Sequence, residues 1–360
     1  MNGKQEFMVC IRCITYNHES YIEDAMRGFI MQETSFPYVA VIVDDASTDS
    51  TALRIDHFLH QYFDFSDSSV SYSSEKDFGR FVFARHRNNK KCYFAVYILK
   101  ENHYSVKKSK SPYFGEWTRS SNYVALCEGD DYWTDPLKLQ KQVAVFERFN
   151  DVSLCCSSCA IDEKGQFHQE KRYQEECVVP TEDIIRGGGL WLHTVTYMFR
   201  KSVWNNYPSY CTNCHVGDYP LILWASLNGK VYYLPDETAV YRFQSLGSWT
   251  QRLNSQNIDK LIRGWRSEID MLEGLDAWSN YSYSAAFHQR IAFYLYDQMI
   301  LHKSSIHRIL PSFRKEMNLF SRKQKAHVFF TRIHLESVYH FLLHNWHRLK
   351  KRWPFTMALR

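Results

Sequence analysis

No stretch of this sequence reaches the roughly 18 consecutive apolar residues that a membrane-spanning helix needs. Its start, Met1 to Glu6, is polar and lacks the apolar core of an export signal, so the expected compartment is the cytoplasm. Internal repeats and low-complexity tracts are missing, which sets aside solenoids and biased linkers. Residues 11 to 21 contain no glycine, so a Gly-rich phosphate loop after the first strand is not expected. Nothing in the composition argues for disorder. Of 360 residues, 45% are hydrophobic and 23% charged, which suffices for one large domain plus an extension, or for two domains.

Acid is scarce towards the C-terminus. From Ser321 to Arg360 there are nine Lys or Arg against one acid, Glu336. This basic stretch is interleaved with Phe329, Phe330, Tyr339, Phe341, Trp346 and Trp353. The pattern fits peripheral contact with an anionic membrane, on the inner face of the cell membrane, or with a phosphorylated acceptor; solvated surface charge is the plainer alternative. No nucleic-acid-binding fold motif accompanies it, so nucleic acid is not an expected partner.

What the sequence does hold includes ten cysteines and many aromatics, 24 Tyr, 24 Phe and 10 Trp. Rings of that number fill cores and also stack on sugars, so the count by itself decides nothing. Cys155, Cys156 and Cys159, with Cys211 and Cys214, are enough ligands for a structural zinc. Their spacing is not that of a standard finger, and buried free thiols are the commoner reading in a reducing compartment.

The first 150 residues alternate between strand and helix patterns. Met8–Ile14 reads as a buried strand interrupted by Arg12, and Tyr21–Met31 places Ile22, Ala25, Met26, Phe29 and Ile30 on one helical face. Tyr38–Val43 is a β-branched run ending in Asp44-Asp45, followed by Ser47-Thr48-Asp49-Ser50, which supplies N-cap chemistry for a helix. Residues 64–120 give no clear pattern beyond a candidate strand Tyr93–Leu99. Tyr123–Cys127 is a buried strand cut off by Glu128-Gly129-Asp130-Asp131, with an amphipathic helix after Pro136. Further strands are expected at Val152–Cys156, Thr194–Phe199 and Lys230–Leu234, and a helix at Pro220–Leu227. From Ile258 the pattern is helical, with Pro311 as a breaker. Such alternation predicts an α/β fold, a mostly parallel sheet flanked by helices, followed by a helical C-terminal extension.

Two acidic clusters therefore follow predicted strands, Asp44-Asp45 and Glu128-Gly129-Asp130-Asp131. Ligands of open α/β sheets bind at those carboxyl ends. Paired acids there can present hard oxygens to Mg²⁺ or Mn²⁺ that also holds a diphosphate, or can be ordinary solvated turns.

Three stretches, Ile14-Thr15-Tyr16-Asn17, Val43-Asp44-Asp45-Ala46-Ser47-Thr48-Asp49 and Cys127-Glu128-Gly129-Asp130-Asp131-Tyr132-Trp133, together resemble glycosyltransferase family 2, which has the GT-A fold. The similarity covers residues 7 to 250, most strongly to about 150. It implies a GT-A domain over residues 1–250 and an extension over 251–360. It further implies an inverting, hexosyl-type transferase using a nucleotide-sugar donor, UDP-linked, with Mg²⁺ or Mn²⁺. The implied acceptor is a glycan or lipid-linked glycan, as in assembly of a bacterial surface polysaccharide such as lipopolysaccharide. On that resemblance Tyr16 lies against the donor base and Asp45, beside Asp44, accepts its ring N–H. Glu128-Gly129-Asp130 stands where the family has Asp-x-Asp, with Asp130 the metal ligand and Asp131 beside it; the first acid here is Glu. Asp218, in Gly217-Asp218-Tyr219-Pro220, falls at the family's catalytic base, while a helix cap is its structural alternative. Arg242 is a candidate phosphate contact or a surface charge, and His193 and His215 are candidate acceptor contacts or structural residues. Arg85, Arg87 and Lys90 lie where the family has donor contacts but receive no role. Two other readings stay open: a nucleotidyltransferase that makes the nucleotide-sugar, and a binding module on the same fold without catalysis.

Overall fold

The strand β1, Phe7–Thr15, runs through the middle of a 12-stranded sheet. It pairs in parallel with β2, Tyr38–Asp44, on one side and with β6, Ser121–Leu126, on the other. All seven residues of β2 are buried, as expected of a β-branched run with both faces covered. Full burial of a Val or Ile side chain contributes about 1.5–3 kcal/mol, so this run anchors the sheet. The computed structural model of the chain describes residues 6–243 and 257–341.

Outward from β2 come β5, Cys92–Leu99, parallel, then the antiparallel hairpin of β4, Gly79–Arg85, and β3, Tyr72–Lys76. On the β6 side lie β11, Met198–Arg200, then β8, Val152–Glu163, β12, Lys230–Arg242, and β10, Cys177–Val179. Two short strands complete the sheet: β7, Tyr132–Trp133, pairs with β12, and β9, Gln166–Glu170, pairs with β8. The parallel core with helices on its faces is the α/β architecture expected from the sequence.

The helices Ile22–Ile30, Thr51–Tyr62 and Lys138–Arg148 correspond to the sequence reading within a few residues. Three differences have physical causes. Thr194–Phe199, read as a strand, opens instead as a 3₁₀ turn, Thr194–Thr196, before the short β11. Thr196 Oγ1 donates to the His193 carbonyl at 2.7 Å and closes that turn locally. The strand expected to end at Leu234 continues to Arg242, because the register shifts between Leu234 and Glu237. Pro235 has no N–H to give the ladder, and the irregularity lets the strand pass it. Pro311 sits one residue before the end of the helix Ile306–Ser312, inside its last turn.

The chain divides into two compact units. One contains the whole sheet. The other consists of the helices after residue 257, among them Ile258–Trp278, Ser284–Leu301 and Arg322–Arg332, together with the short stretches Ile185–Gly188 and Asn213–Val216. Among the described residues no helix is long and apolar enough to cross a membrane. Residues 342–360 of the basic tail, with Trp346 and Trp353, lie outside the described residues.

Candidate active site

The three motif stretches converge because β1, β2 and β6 are parallel neighbours whose carboxyl ends lie together. The ladder continues past the strands: Asp45 N–H donates to the Thr15 carbonyl at 2.9 Å and Gly129 N–H to the Ile14 carbonyl at 2.9 Å. Both acidic turns are thereby sewn to the end of β1.

The first turn is closed on itself and on its neighbours. Asp44 is buried, and its carboxylate accepts the Ser47 hydroxyl and, at 3.4 Å, the Ser47 N–H. Burial pushes the Asp44 carboxyl up to about 6. Ala46 in this turn takes a left-handed φ of 59°. Asp45, also buried, accepts the His103 N–H at 2.8 Å, the Tyr104 N–H at 3.1 Å and the Lys110 ammonium at 2.8 Å. Asp45 thus holds the loop after β5. Opposite it, the loop after β1 is fastened by Asn17 N–H to Ser47 Oγ, 2.9 Å, and Thr48 N–H to Asn17 Oδ1, 2.8 Å. His18 N–H to Thr51 Oγ1, 2.9 Å, adds a third tie. Tyr16 opens this loop and is half-buried.

The second turn is crowded with negative charge. A Cβ on Gly129 would lie 2.6 Å from Thr15 Oγ1 and 3.0 Å from His18 Nδ1, so only glycine lets the acids come this close to β1. Burial, then the neighbouring Asp130, pushes Glu128 up to about 7, and the same two causes raise Asp131 well above the carboxylate range. Cys13 on β1 is raised by burial and then by Glu128, Asp130 and Asp131, which places all three acids around one strand end. His18 Nε2 stands 3.9 Å from Asp130 Oδ2.

Arg242, at the end of β12, fixes this turn from behind. Its N–H donates to Asp131 Oδ1 at 2.8 Å, and its guanidinium donates to the Asp130 carbonyl at 2.8 Å and to Asp24 at 2.6 Å. The guanidinium also lies over Tyr132, 4.4 Å from the ring centroid. Its side chain is 12% exposed, so it is neither a surface charge nor placed by these bonds as a free phosphate contact. Arg12, which interrupts β1, rests between Phe114 and Trp204, 4.4 and 4.9 Å from their centroids.

Asp218 is the first residue of the helix Asp218–Leu227, and its Oδ1 accepts the Tyr219 N–H at 2.8 Å. The helix start by itself would favour the ionised acid. Burial outweighs it, and the Asp218 carboxyl is raised above its ordinary value. The loop at Gly189 comes close, with a Cβ there 3.9 Å from Asp218 Oδ1.

The remaining candidates separate. His193 is buried, stacked on Tyr241 at 4.7 Å, and pushed down to about 4 by burial, so it is neutral at pH 7. His215 belongs to the helical unit, where its N–H donates to Ser267 Oγ at 3.1 Å. Arg87 donates to the carbonyls of His60, Gln61 and Phe63. Arg85 lies 3.9 Å from Asp67, and Lys90 lies 3.9 Å from Asp64. Cys155, Cys156 and Cys159 are buried along β8, and the only grouping of His, Cys, Asp and Glu with metal-ligand spacing among the described residues contains no cysteine. His18 and Lys110 are the residues beside the acidic turns that the sequence did not point out. Of these, only His18 carried a local signal, two positions after Tyr16 in a loop bound for the acids.

No family model matches the chain. Two curated relatives, the uncharacterized proteins Rv1520 of Mycobacterium tuberculosis and Mb1547 of Mycobacterium bovis, are each 30% identical over 243 residues, 66% of this chain. The match spans 59% of those relatives' length. Among solved structures, S. aureus TarS 1-349 in complex with UDP superposes with a TM-score of 0.56 at 14% identity, covering 95% of this chain and 91% of that one. The same protein in complex with UDP-GlcNAc gives 0.55 at 13%, covering 95% and 92%. The fold is GT-A. At this identity the likeness extends to the fold alone.

Proposed function

We propose that the chain is a metal-assisted, inverting glycosyltransferase that moves a sugar from a nucleoside-diphosphate donor to a glycan or lipid-linked acceptor. The observation that carries this reading is the Glu128-Gly129-Asp130-Asp131 turn, an acid cluster seated by a glycine at the carboxyl end of the central parallel strands of a GT-A sheet. The UDP and UDP-GlcNAc held by TarS on the same fold support a UDP-linked donor. The catalytic domain spans residues 1–250.

Crowded hard carboxylates whose charge is disfavoured by burial and by one another suit a small divalent cation. Asp130 would hold Mg²⁺ or Mn²⁺, with Glu128 and Asp131 beside it, and the bound ion supplies neutralising charge to the departing diphosphate. Arg242 and Gly129 keep the turn in place. The donor base lies against Tyr16. Asp45 spends three of its about four acceptor positions on His103, Tyr104 and Lys110, which leaves one for the ring N–H of the base. Asp218 takes the proton of the acceptor hydroxyl as its oxygen attacks the anomeric carbon, and the nucleoside diphosphate leaves from the opposite face, inverting the centre. A carboxyl raised by burial is a better base than a solvated one. The basic C-terminal stretch would bring the chain to an anionic membrane carrying the acceptor.

Asp218→Asn separates base from cap. Asn caps a helix about as well as Asp, so a capping role predicts unchanged rate. A base predicts a drop of about 10²–10⁴-fold in transfer at saturating donor, with donor affinity nearly unchanged. The pH profile adds a check: wild-type transfer falls as pH drops through the raised Asp218 pKa. The stability sign is the reverse. A raised acid binds its proton more tightly when folded, so its favourable contribution is complete at low pH and lost as pH rises through the folded value. Asp218→Asn therefore gains stability relative to wild type as pH increases. Wild-type turnover in the variant would place the base elsewhere.

A further inference from the structure

In the helical unit, far in sequence from the acidic turns, His327, Glu336 and His340 gather their side-chain ligand atoms within 4.8 Å of one another. His327 lies on the helix Arg322–Arg332; Glu336 and His340 are one helical turn apart in the stretch that follows Leu335. Nε2 of His327 is 3.4 Å from Glu336 Oε1, and Nε2 of His340 is 4.0 Å from the same oxygen.

Two features distinguish this group from an ordinary ion pair. The His327 side chain is 8% exposed, and its Nε2 faces Glu336 Oε1 at 3.4 Å without the alignment of a directed hydrogen bond. In the tautomer that carries its lone pair on Nε2, the imidazole and the Glu336 oxygen face each other as two acceptors that a shared cation would join. The other ring nitrogen is already engaged: the Tyr296 hydroxyl lies 2.6 Å from Nδ1. When Nδ1–H donates to that oxygen, the tautomer is fixed with the lone pair on Nε2, the outer-sphere arrangement that orients metal-binding histidines. Lys303 bonds Oε2 of Glu336 at 2.8 Å and leaves Oε1 turned to the imidazoles.

Zinc–nitrogen and zinc–oxygen bonds of about 2.0–2.2 Å at a tetrahedral centre put ligand atoms about 3.3–3.6 Å apart. The His327–Glu336 separation already meets that range. The exposed His340 needs only a small side-chain rotation to join it.

We propose that His327, Glu336 and His340 form a zinc-class divalent metal site, with water at the fourth position, that clips the stretch after Leu335 onto the helix Arg322–Arg332. The site does not depend on the glycosyltransferase reading. Imidazole ligands favour zinc, nickel or cobalt over the magnesium or manganese suited to the all-oxygen turn at Asp130.

The test uses the full chain, stripped with chelator and titrated with Zn²⁺ against a chromophoric competitor, then with Co²⁺ to read its tetrahedral absorption bands. We expect one Zn²⁺ per chain, retained in Asp130→Ala, with affinity at least tenfold weaker in His340→Ala and in Glu336→Gln. The Co²⁺ bands should lose intensity in both variants. His340 is exposed, so its replacement leaves the packing intact even if His327 variants fail to fold. Added Zn²⁺ should raise the melting temperature of wild type and not of His340→Ala. No zinc bound at stoichiometry, or equal affinity in wild type, His340→Ala and Glu336→Gln, overturns the site.

Discussion

The turns that follow β2 and β6 are both acidic, both sewn to the end of β1, and behave oppositely. After β2, Asp44 and Asp45 are met by donors from their own chain: Ser47 for one, the His103 and Tyr104 N–H groups and Lys110 for the other. After β6, Glu128, Asp130 and Asp131 gather at the end of β1, where Arg242 holds the Asp130 carbonyl with its guanidinium and Asp131 Oδ1 with its N–H. An acid with donors around it builds structure. Glu128 and Asp131, raised by burial first and by Asp130 second, have the character of a site for positive charge, the role proposed for this turn. On the proposed reading, the same residue type at equivalent strand ends is divided into scaffold and working group.

The sharpest test of that division is Asp130→Ala. Loss of several kcal/mol of charge stabilisation corresponds to about 10³-fold or more in turnover. Mn²⁺ binding, read by calorimetry, should disappear with it, while thermal stability holds or rises because a repelling carboxylate has gone. Full metal-dependent turnover in a folded Asp130→Ala protein would remove the metal assignment and make the second turn as structural as the first.

Much of this was legible beforehand, and the limits are instructive. The central strands showed themselves because parallel strands buried on both faces are continuous apolar runs, and their acidic ends gave the position of the proposed site. The hairpin of β3 and β4 did not. β3 has an edge place and four of five residues exposed, so no alternation marks it. Nor could the roles of individual acids be divided, since the deciding partners come from afar: Lys110 reaches Asp45 across 65 residues and Arg242 reaches Asp130 across 112. Asp45 read as a base contact, and its obligations to the 103–110 loop belong to tertiary structure. Arg242 read as a phosphate contact or surface charge for the same reason.

Asp45→Ala lies in the middle of the range. It removes acceptors for two N–H groups and an ammonium, and the proposed contact to the donor base. Donor affinity should weaken by about 1.5–3 kcal/mol, the range for hydrogen bonds to a charged group. Because the carboxylate also anchors residues 103–110, limited proteolysis should cut that loop faster in the variant than in wild type. Faster cutting with unchanged nucleotide affinity would confine Asp45 to the scaffold and deny it the base.

The smallest effect, and the closest probe of the first turn as scaffold, is Ser47→Ala. Ser47 Oγ donates to Asp44 and accepts the Asn17 N–H, so it joins the turn after β2 to the loop after β1. Its loss should cost about 1–2 kcal/mol of stability, two hydrogen bonds with one to a buried acid. The cost should depend on pH with a definite sign. The Asp44 carboxyl is up at about 6, so the folded protein tolerates the protonated acid better than the ionised one. Its favourable contribution is complete below the ordinary carboxylate range and declines as pH rises through about 6. Without the Ser47 hydroxyl the ionised form loses its best donor, so the destabilisation read by urea unfolding should be larger at pH 8 than at pH 5. Metal-dependent turnover should stay within about twofold, since a surviving native fraction keeps the second turn intact. An equal stability loss at both pH values would mean that Asp44 is not supported through Ser47, and a large loss of metal binding would mean that the two turns are not separate devices after all.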